Sequence, residues 1–307
     1  MKIENSSVLT LRDLEAWTRP GVSLTVLGHP IKHSVSPPMH NAALAEMTRA
    51  DPRFADWKYF RFEIPPDDLP RALELLHAKK FRGINLTVPH KVLAFDLVTE
   101  IDPAARTIGA VNTLRWTEQG WHGFNTDGYG LATAVRETLG CELGGTDVVL
   151  LGAGGAARGA AVECLQHKCA SLWIANRTPE NLEALLGVLQ PVARNIPLHG
   201  FSPSLPPSHL PAGALVINAT SAGLRPGDPS PIDLARLPRP AAVYDMIYNP
   251  PVTPLLAAAS ALGIPQANGL SMLVHQGARS LEIWSGVPAA RTAPTMLAAV
   301  RAALGGR

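Results

Sequence analysis

Asp147-Val-Val-Leu-Leu151 runs without a break into Gly152-Ala-Gly-Gly-Ala-Ala157 and then into a helix-prone stretch from Arg158 to Leu165. A short, wholly apolar run of this kind is a strand covered on both faces, as in a parallel sheet flanked by helices. Strand, glycine turn and helix in that order form the dinucleotide-binding βαβ pattern, and it is the flanking strand and helix that give the glycines weight. Gly152 suits the tight turn, Gly154 leaves room for backbone to approach a pyrophosphate, and Ala157 stands where a small side chain lets the helix pack closely. Backbone from Gly152 through Ala153, Gly154, Gly155 and Ala156 would then cradle phosphate at the positive end of the helix.

The next apolar strand, Ser171–Ala175, ends in Asn176-Arg177-Thr178. An NAD-specific fold places Asp or Glu near this point, on the ribose hydroxyls. Here a cation stands in place of the acid. A guanidinium can fork onto a 2′-phosphate and stack on adenine, whereas a carboxylate would repel that phosphate, so the cofactor expected is NADP.

Outward from this centre, strand-like runs at 23–27 and 84–88 alternate with helix-period segments at 39–47 and 92–98. That alternation predicts an α/β fold with largely parallel sheets, and 307 residues make two domains the natural division. The boundary is expected near 127–130, with a helix over 131–139 leading to the second α/β unit. The proline-dense segments 202–211 and 225–240 read as surface loops, because proline interrupts both helix and sheet. A strand over 243–247 precedes two last helices, 270–284 and 294–304, which the pattern alone assigns to neither domain. No internal repeat is found.

Composition excludes several classes. With 46% hydrophobic and 17% charged residues the chain has material for sizeable cores. The 27 basic and 25 acidic side chains leave a net charge of +2, and no run of five like charges occurs, so neither a nucleic-acid groove nor a polybasic membrane patch is expected. Met1 to Leu14 mixes Lys2, Glu4, Arg12 and Asp13 among its apolar residues, unlike a signal peptide. No apolar run has the length of a membrane helix. Three cysteines and the absence of an HExxH pair predict no metal and no disulfide framework, and point to the cytoplasm.

A second set of motifs lies in the first half. Gly28-His-Pro-Ile-Lys-His-Ser-Val-Ser-Pro-Pro-Met-His-Asn41 follows a strand, and Ser36 before Pro37 predicts a helix N-cap with proline at the first helical position. Ser34 and Ser36 form a candidate carboxylate-binding corner, although capping alone would account for Ser36. The alternating run 84–88 is expected to be a half-buried strand, with Pro89-His-Lys91 opening a helix. Asn85, Thr87 and Lys91 then gather at a strand's carboxyl end, where α/β sheets bind ligands. Lys91 in a first helical turn faces the positive end of the macrodipole, which suits an acid/base, while a plain exposed side chain is the other reading. Asn112 and Asp127 fall at bends where such residues also serve as turn formers.

Taken in order, GHPIKHSVSPPMHN, NLTVPHK, GAVNT, NTDGYG, GAGGAA, NRT, ATSAG, YDMIYNP and NGLSMLVHQ span Gly28 to Gln276. This ordered set resembles the shikimate dehydrogenase family. The resemblance implies an N-terminal α/β substrate domain, 1–128 completed by C-terminal helices from about 271 to 307, and a Rossmann-like NADP-binding domain over 129–270. It implies reversible, NADPH-dependent reduction of 3-dehydroshikimate to shikimate in chorismate and aromatic amino-acid biosynthesis. Ser34, Ser36, Asn85, Thr87 and Tyr248 would bind substrate, the serines, Thr87 and Tyr248 at its carboxylate end. Asn112 and Gln276 would address its hydroxyls, and Lys91 and Asp127 would form the catalytic pair.

On the same basis Gly152, Ala153, Gly154, Gly155 and Ala156 take the pyrophosphate, and Asn176, Arg177, Thr178 and Asn181 the adenosine phosphate. Thr220, Met246 and Gly269 complete the cofactor set, the last two beside the nicotinamide. Two positions depart from the family pattern. Asn181 stands where many relatives carry a second basic residue, which loosens strictness for NADP, and Asn268 replaces a common Asp. The alternatives are a quinate/shikimate dehydrogenase using NAD or NADP, and a non-catalytic NADP-binding homologue. The expected partners are small molecules, without nucleic acid or membrane, and a homodimer is left open.

Overall fold

A computed structural model describes residues 7–305. These divide into two compact units, one ending at Thr126 and resuming at Val274, the other Asp127–Leu273. The stretch read from Met1 to Leu14 and the outer domain ends at 1 and 307 lie partly outside the described residues.

The first unit runs α1 (Leu11–Glu15), β1 (Ser23–Gly28), α2 (Ser36–Ala50), β2 (Lys58–Glu63), α3 (Leu69–Ala78), β3 (Gly83–Leu86), α4 (His90–Leu93), β4 (Glu100–Ile101), α5 (Pro103–Ile108), β5 (Thr113–Thr117) and β6 (Gly120–Phe124). Its sheet has the order β2-β1-β3-β5-β6-β4. β1, buried along its whole length, is parallel to both neighbours. Beyond β3 the expected parallel pattern fails, because β5 pairs antiparallel with β3 and forms a hairpin with β6. Only Glu118 and Gln119 link β5 to β6, and a parallel return would need a crossover of about a dozen residues. Against this sheet Trp17 stands edge-on to Phe60 and Phe62, with centroids 4.9 and 5.6 Å away, within one apolar cluster that includes Leu73, Phe81 and Trp121.

The second unit runs α6 (Asp127–Leu139), β7 (Asp147–Leu151), α7 (Gly155–Gln166), β8 (Ser171–Ala175), α8 (Pro179–Ala193), β9 (Leu198–Phe201), β10 (Leu215–Asn218), β11 (Ala242–Asp245), α9 (Pro254–Ala261) and β12 (Gln266–Asn268). Every pair in its sheet is parallel, in the order β12-β11-β10-β7-β8-β9. β7 therefore has β8 on one side and β10 on the other. The chain winds outward through β9, returns, and winds outward again through β12, which is the doubly wound arrangement. Both proline-dense segments are connections of this sheet, before and after β10. The second still contributes Ile232, Leu234 and Leu237 to the core, with a 3₁₀ turn at Leu234–Arg236.

Two helices end the chain, α10 (Leu270–Ser285) and α11 (Ala289–Gly305). From Val274 onward they belong to the first unit, where α11 packs along α2. α11 starts five residues before the expected Pro294, which it holds in its interior. Its buried face, Ala289, Thr292, Ala293, Met296 and Val300, keeps helical spacing across the proline, and packing of that face outweighs the one lost backbone bond.

One polar group lies deep in this core. His40 of α2 stacks on Tyr59 of β2, with centroids 4.1 Å apart, and its Nδ1 donates to the Ser36 carbonyl at 3.0 Å. Burial lowers its pKa from 6.5 to about 4. Because the folded value is depressed, the unfolded chain takes up the proton first as pH falls below 6.5, and stability declines until pH passes the folded value. A shift of this size is worth about 3 kcal/mol. We predict that wild type loses about that much between pH 7 and pH 4 relative to His40→Gln, measured by urea unfolding; parallel curves for the two proteins would contradict the assignment.

Candidate active site

In the first unit, the candidate residues sit on the loops that leave β1 and β3 at their carboxyl ends. The two loops are tied to each other and to the sheet. His29 N–H donates to the Val88 carbonyl at 3.2 Å and Thr87 N–H to the Leu27 carbonyl at 3.0 Å. Arg61 Nη1 donates to the Lys32 and Ser34 carbonyls at 2.7 and 3.2 Å. Ser34, Ser36 and Thr87 are half-buried there.

The expected N-cap is corrected by one residue. Val35 caps α2, and Ser36 is its first helical residue. Ser34 Oγ accepts the Ser36 N–H at 3.3 Å, a side-chain turn that starts the helix early, and the following prolines have no N–H to satisfy. The helix carrying Lys91 is also shorter than expected. α4 is four residues, His90–Leu93, and passes into a 3₁₀ turn at Ala94–Leu97. So few aligned peptides give only a weak dipole, which removes much of the electrostatic argument from helix position. Lys91 is half-buried, and its carbonyl accepts Val111 N–H at 2.9 Å.

Beneath these loops lies a buried polar network. Asn85 Oδ1 accepts Tyr59 Oη–H at 2.8 Å. Its Nδ2 is in reach of the Asn112 carbonyl, Thr113 Oγ1 and Ser280 Oγ at 3.2, 3.1 and 2.9 Å. Asn112 Oδ1 accepts the Thr126 N–H at 2.8 Å and the Thr113 hydroxyl at 2.9 Å. Thr126 is followed directly by Asp127. Ser280, one turn beyond Gln276 in α10, donates to the Gln276 carbonyl at 2.9 Å. Asn85 and Asn112, 6% and 2% exposed, thus hold five chain segments together. The sequence singles out both asparagines but assigns no role to their partners: Thr113 and Thr126 stand unremarked inside the GAVNT and NTDGYG motifs, Tyr59 is an ordinary strand residue and Ser280 an ordinary helix residue.

In the second unit, Gly152 follows β7 with φ +112°, a conformation open mainly to glycine. A Cβ there would also stand 3.0 Å from Thr220 Cγ2 and 3.3 Å from the Ala219 carbonyl. At Gly154 and Gly155 a Cβ would meet nothing within 4 Å, and both are exposed together with Ala156. Open space over bare backbone at the N-terminus of α7 fits a pyrophosphate. Ala157, 0% exposed, fills the small-residue position. Arg177, Thr178 and Asn181 are exposed beyond β8 and at the start of α8, while Asn176 Nδ2 donates to the Thr178 carbonyl at 2.9 Å. An exposed guanidinium beside a helix N-terminus fits a phosphate monoester.

The loops after β10 and β11 share one buried carboxylate, Asp245, which sequence reading passed over. It is 0% exposed. Oδ1 accepts Asn218 Nδ2 at 2.9 Å and Ile247 N–H at 3.0 Å, and Oδ2 accepts Thr253 Oγ1 at 2.6 Å. Burial raises its pKa, and the three hydrogen bonds work in the opposite direction. Asn218 Oδ1 in turn holds Thr220 through its N–H and hydroxyl at 3.0 and 2.7 Å. Met246 N–H donates to the Asn218 carbonyl at 3.0 Å. Gly269 lies so close that a Cβ would stand 2.1 Å from the Met246 carbonyl oxygen. Thr220, Met246 and Gly269 are thereby gathered on adjacent strand ends, and Tyr248 follows Met246 by two residues in the loop after β11. Lys91 belongs to the first unit and Asp127, the first residue of α6, to the second. Among the described residues, no group of three or more His, Cys, Asp or Glu side chains is arranged for a metal ion, and no helix is long and apolar enough to cross a membrane.

Known proteins share this organisation. Residues 26–114 match the model of the shikimate dehydrogenase substrate binding domain, and 269–301 that of the shikimate 5'-dehydrogenase C-terminal domain. Shikimate dehydrogenase (NADP(+)) from a Geobacter species is 40% identical over 266 residues, covering 85% of this chain and 89% of that protein. The structure of shikimate 5-dehydrogenase from Thermus thermophilus in complex with NADP(H) and shikimate superposes with a TM-score of 0.77 at 33% identity, over 91% of this chain and 99% of that one. A ligand-free 5-ketofructose reductase from a Gluconobacter species gives a TM-score of 0.78 at 31% identity, over 91% and 98%. The two family models and the extent of identity place this chain in the shikimate dehydrogenase family.

Proposed function

We propose that the chain catalyses the reversible, NADPH-dependent reduction of 3-dehydroshikimate to shikimate, a step of chorismate and aromatic amino-acid biosynthesis, in the cytoplasm. The observation that carries this reading is the joint occurrence of 40% identity to an NADP-dependent relative with an unoccluded glycine turn and an exposed Arg177 beyond the next strand. Cysteines 141, 164 and 169 are free thiols, in keeping with a reducing compartment.

Substrate binding falls to the first domain, 1–128 with the final helices, and cofactor binding to 129–270. NADPH, when bound, supplies the hydride. As a carbonyl carbon accepts hydride, negative charge grows on its oxygen; Lys91 stabilises that charge and donates the proton. Asp127 binds the neighbouring hydroxyl. Ser34, Ser36, Thr87 and Tyr248 take the substrate carboxylate, while Asn112 and Gln276 take hydroxyls. Asn85, its amide engaged by four protein partners, serves the pocket by holding its walls. Gly152 to Ala156 take the pyrophosphate, Asn176, Arg177, Thr178 and Asn181 the adenosine phosphate, and Thr220, Met246 and Gly269 flank the nicotinamide.

A second reading is a polyol or quinate dehydrogenase, favoured by the 5-ketofructose reductase likeness. Initial rates with shikimate, quinate and fructose-type polyols, each with NADP and NAD, separate the two; the proposal expects the largest kcat/KM for shikimate with NADP, and a larger value for another pair would replace it. For Lys91→Ala we expect kcat to fall about 10²–10⁴-fold with substrate binding nearly unchanged, and a raised KM at normal kcat would instead make Lys91 a binding residue. Arg177→Ala should weaken NADPH binding by roughly tenfold to a hundredfold while sparing NADH; an unaltered preference between the two, measured by fluorescence titration, would remove the 2′-phosphate assignment.

A further inference from the structure

Gly128 follows Asp127 in the first turn of α6, and its missing side chain has a specific occupant. A Cβ built there would stand 2.1 Å from Glu163 Oε2, 2.7 Å from Glu163 Cδ and 3.3 Å from Glu163 Cβ. The carboxylate of Glu163, on α7, therefore rests on the Gly128 backbone. Its side chain is 13% exposed, and Oε1 lies 3.0 Å from Nε2 of His167, one turn later on α7. α7 is the helix that begins at the glycine turn, and α6 packs against it.

We propose that Glu163 is a positioning residue for Asp127: its carboxylate, seated against Gly128, holds the first turn of α6 and with it the carboxyl group that addresses the substrate. Two physical effects act together. A negative charge beside the first turn of the 13-residue α6 is favoured by the positive end of the helix dipole. Steric seating adds to it, since Gly128 has given up its side chain to let the carboxylate in. His167, 44% exposed, fixes the other carboxylate oxygen and leaves Oε2 aimed at α6. Burial raises the Glu163 pKa, while His167 lowers it again. The same contact is part of the packing between the helix that carries Asp127 and the helix at the glycine turn.

The inference rests on the proposed role of Asp127, and its test has two arms, one of which needs no turnover. In Glu163→Ala, hydrogen exchange of Leu131, Ala132 and Thr133, whose amides bond back to the carbonyls of the first turn of α6, should accelerate at least about tenfold, and in Glu163→Gln, which keeps the shape and a hydrogen-bonding oxygen, by much less. In shikimate oxidation, Glu163→Ala should lower kcat about fivefold to thirtyfold at unchanged NADP affinity, with Glu163→Gln recovering most of it. In an Asp127→Asn background the same Glu163→Ala change should have no further effect on kcat, because it acts through Asp127. Unchanged exchange in Glu163→Ala overturns the proposal. So does a kcat loss that multiplies with that of Asp127→Asn. If wild type fails to oxidise shikimate, the proposed function fails by itself, and the exchange arm still decides whether Glu163 holds the turn.

Discussion

In the proposed cofactor site, backbone has to come within hydrogen-bond reach of a phosphate where the strand order of the second unit reverses, and that requirement accounts for much of what surrounds it. Gly152 meets it with φ +112°, in contact distance of Ala219 and Thr220 on the neighbouring loop. Only a side-chain-free turn can pass between the ends of β7 and β10 and still leave the next residues open. The neighbouring loop must then be equally well placed, and it is held from below. Asp245 binds Asn218, which binds Thr220, so a buried carboxylate two strands away sets one wall of the crevice. A buried charge is costly unless its lone pairs are satisfied, and here three donors satisfy it.

The first unit solves a comparable problem with neutral groups. Asn85, Asn112, Thr113, Thr126 and Ser280 are buried, and they pair with one another rather than with solvent. An unpaired amide in such a core would cost about 1–3 kcal/mol, so each partner strengthens the case for a single arrangement of the others. The network reaches Gln276 through Ser280 and stops one residue short of Asp127. Strand register fixes the rest, because β1 and β3 are paired along Leu24 to Leu27 and deliver their loops side by side. Rigid walls under mobile substrate groups are the general requirement for hydride transfer, where reacting atoms must be aligned before the bond forms.

The dinucleotide half was legible in the sequence because its signals are local: an apolar run, a glycine turn, a helix, and an arginine where an acid would stand for NAD. The substrate half was legible mainly through its motifs. Its mixed sheet was not, since β5 and β6 carry no strong turn dipeptide and their antiparallel pairing rests on a short link. Ser36 reads as the cap, one residue off, because the turn that starts the helix early is made by Ser34, whose hydroxyl accepts the Ser36 N–H. α4 read as a longer helix because exposed Val92, Leu93 and Leu97 mimic a helical stripe that nothing covers among the described residues. Asn218 and Glu163 give no sequence signal, and Asp245 stands in the YDMIYNP motif without a sign of its role, because their importance comes from what tertiary packing sets against them. Pro294 shows the converse, a strong local signal overridden by a packed face.

The account stands on hydride moving directly between this protein's bound nicotinamide and the shikimate ring. Shikimate carrying deuterium on the carbon that bears the reacting hydroxyl tests this most directly, incubated with NADP or NAD and followed by mass spectrometry of the reduced dinucleotide. The account predicts that the label appears in NADPH, on the nicotinamide, in step with 3-dehydroshikimate formed, and that NADH gains far less. Unlabelled NADPH, or label gained chiefly by NADH, would contradict it.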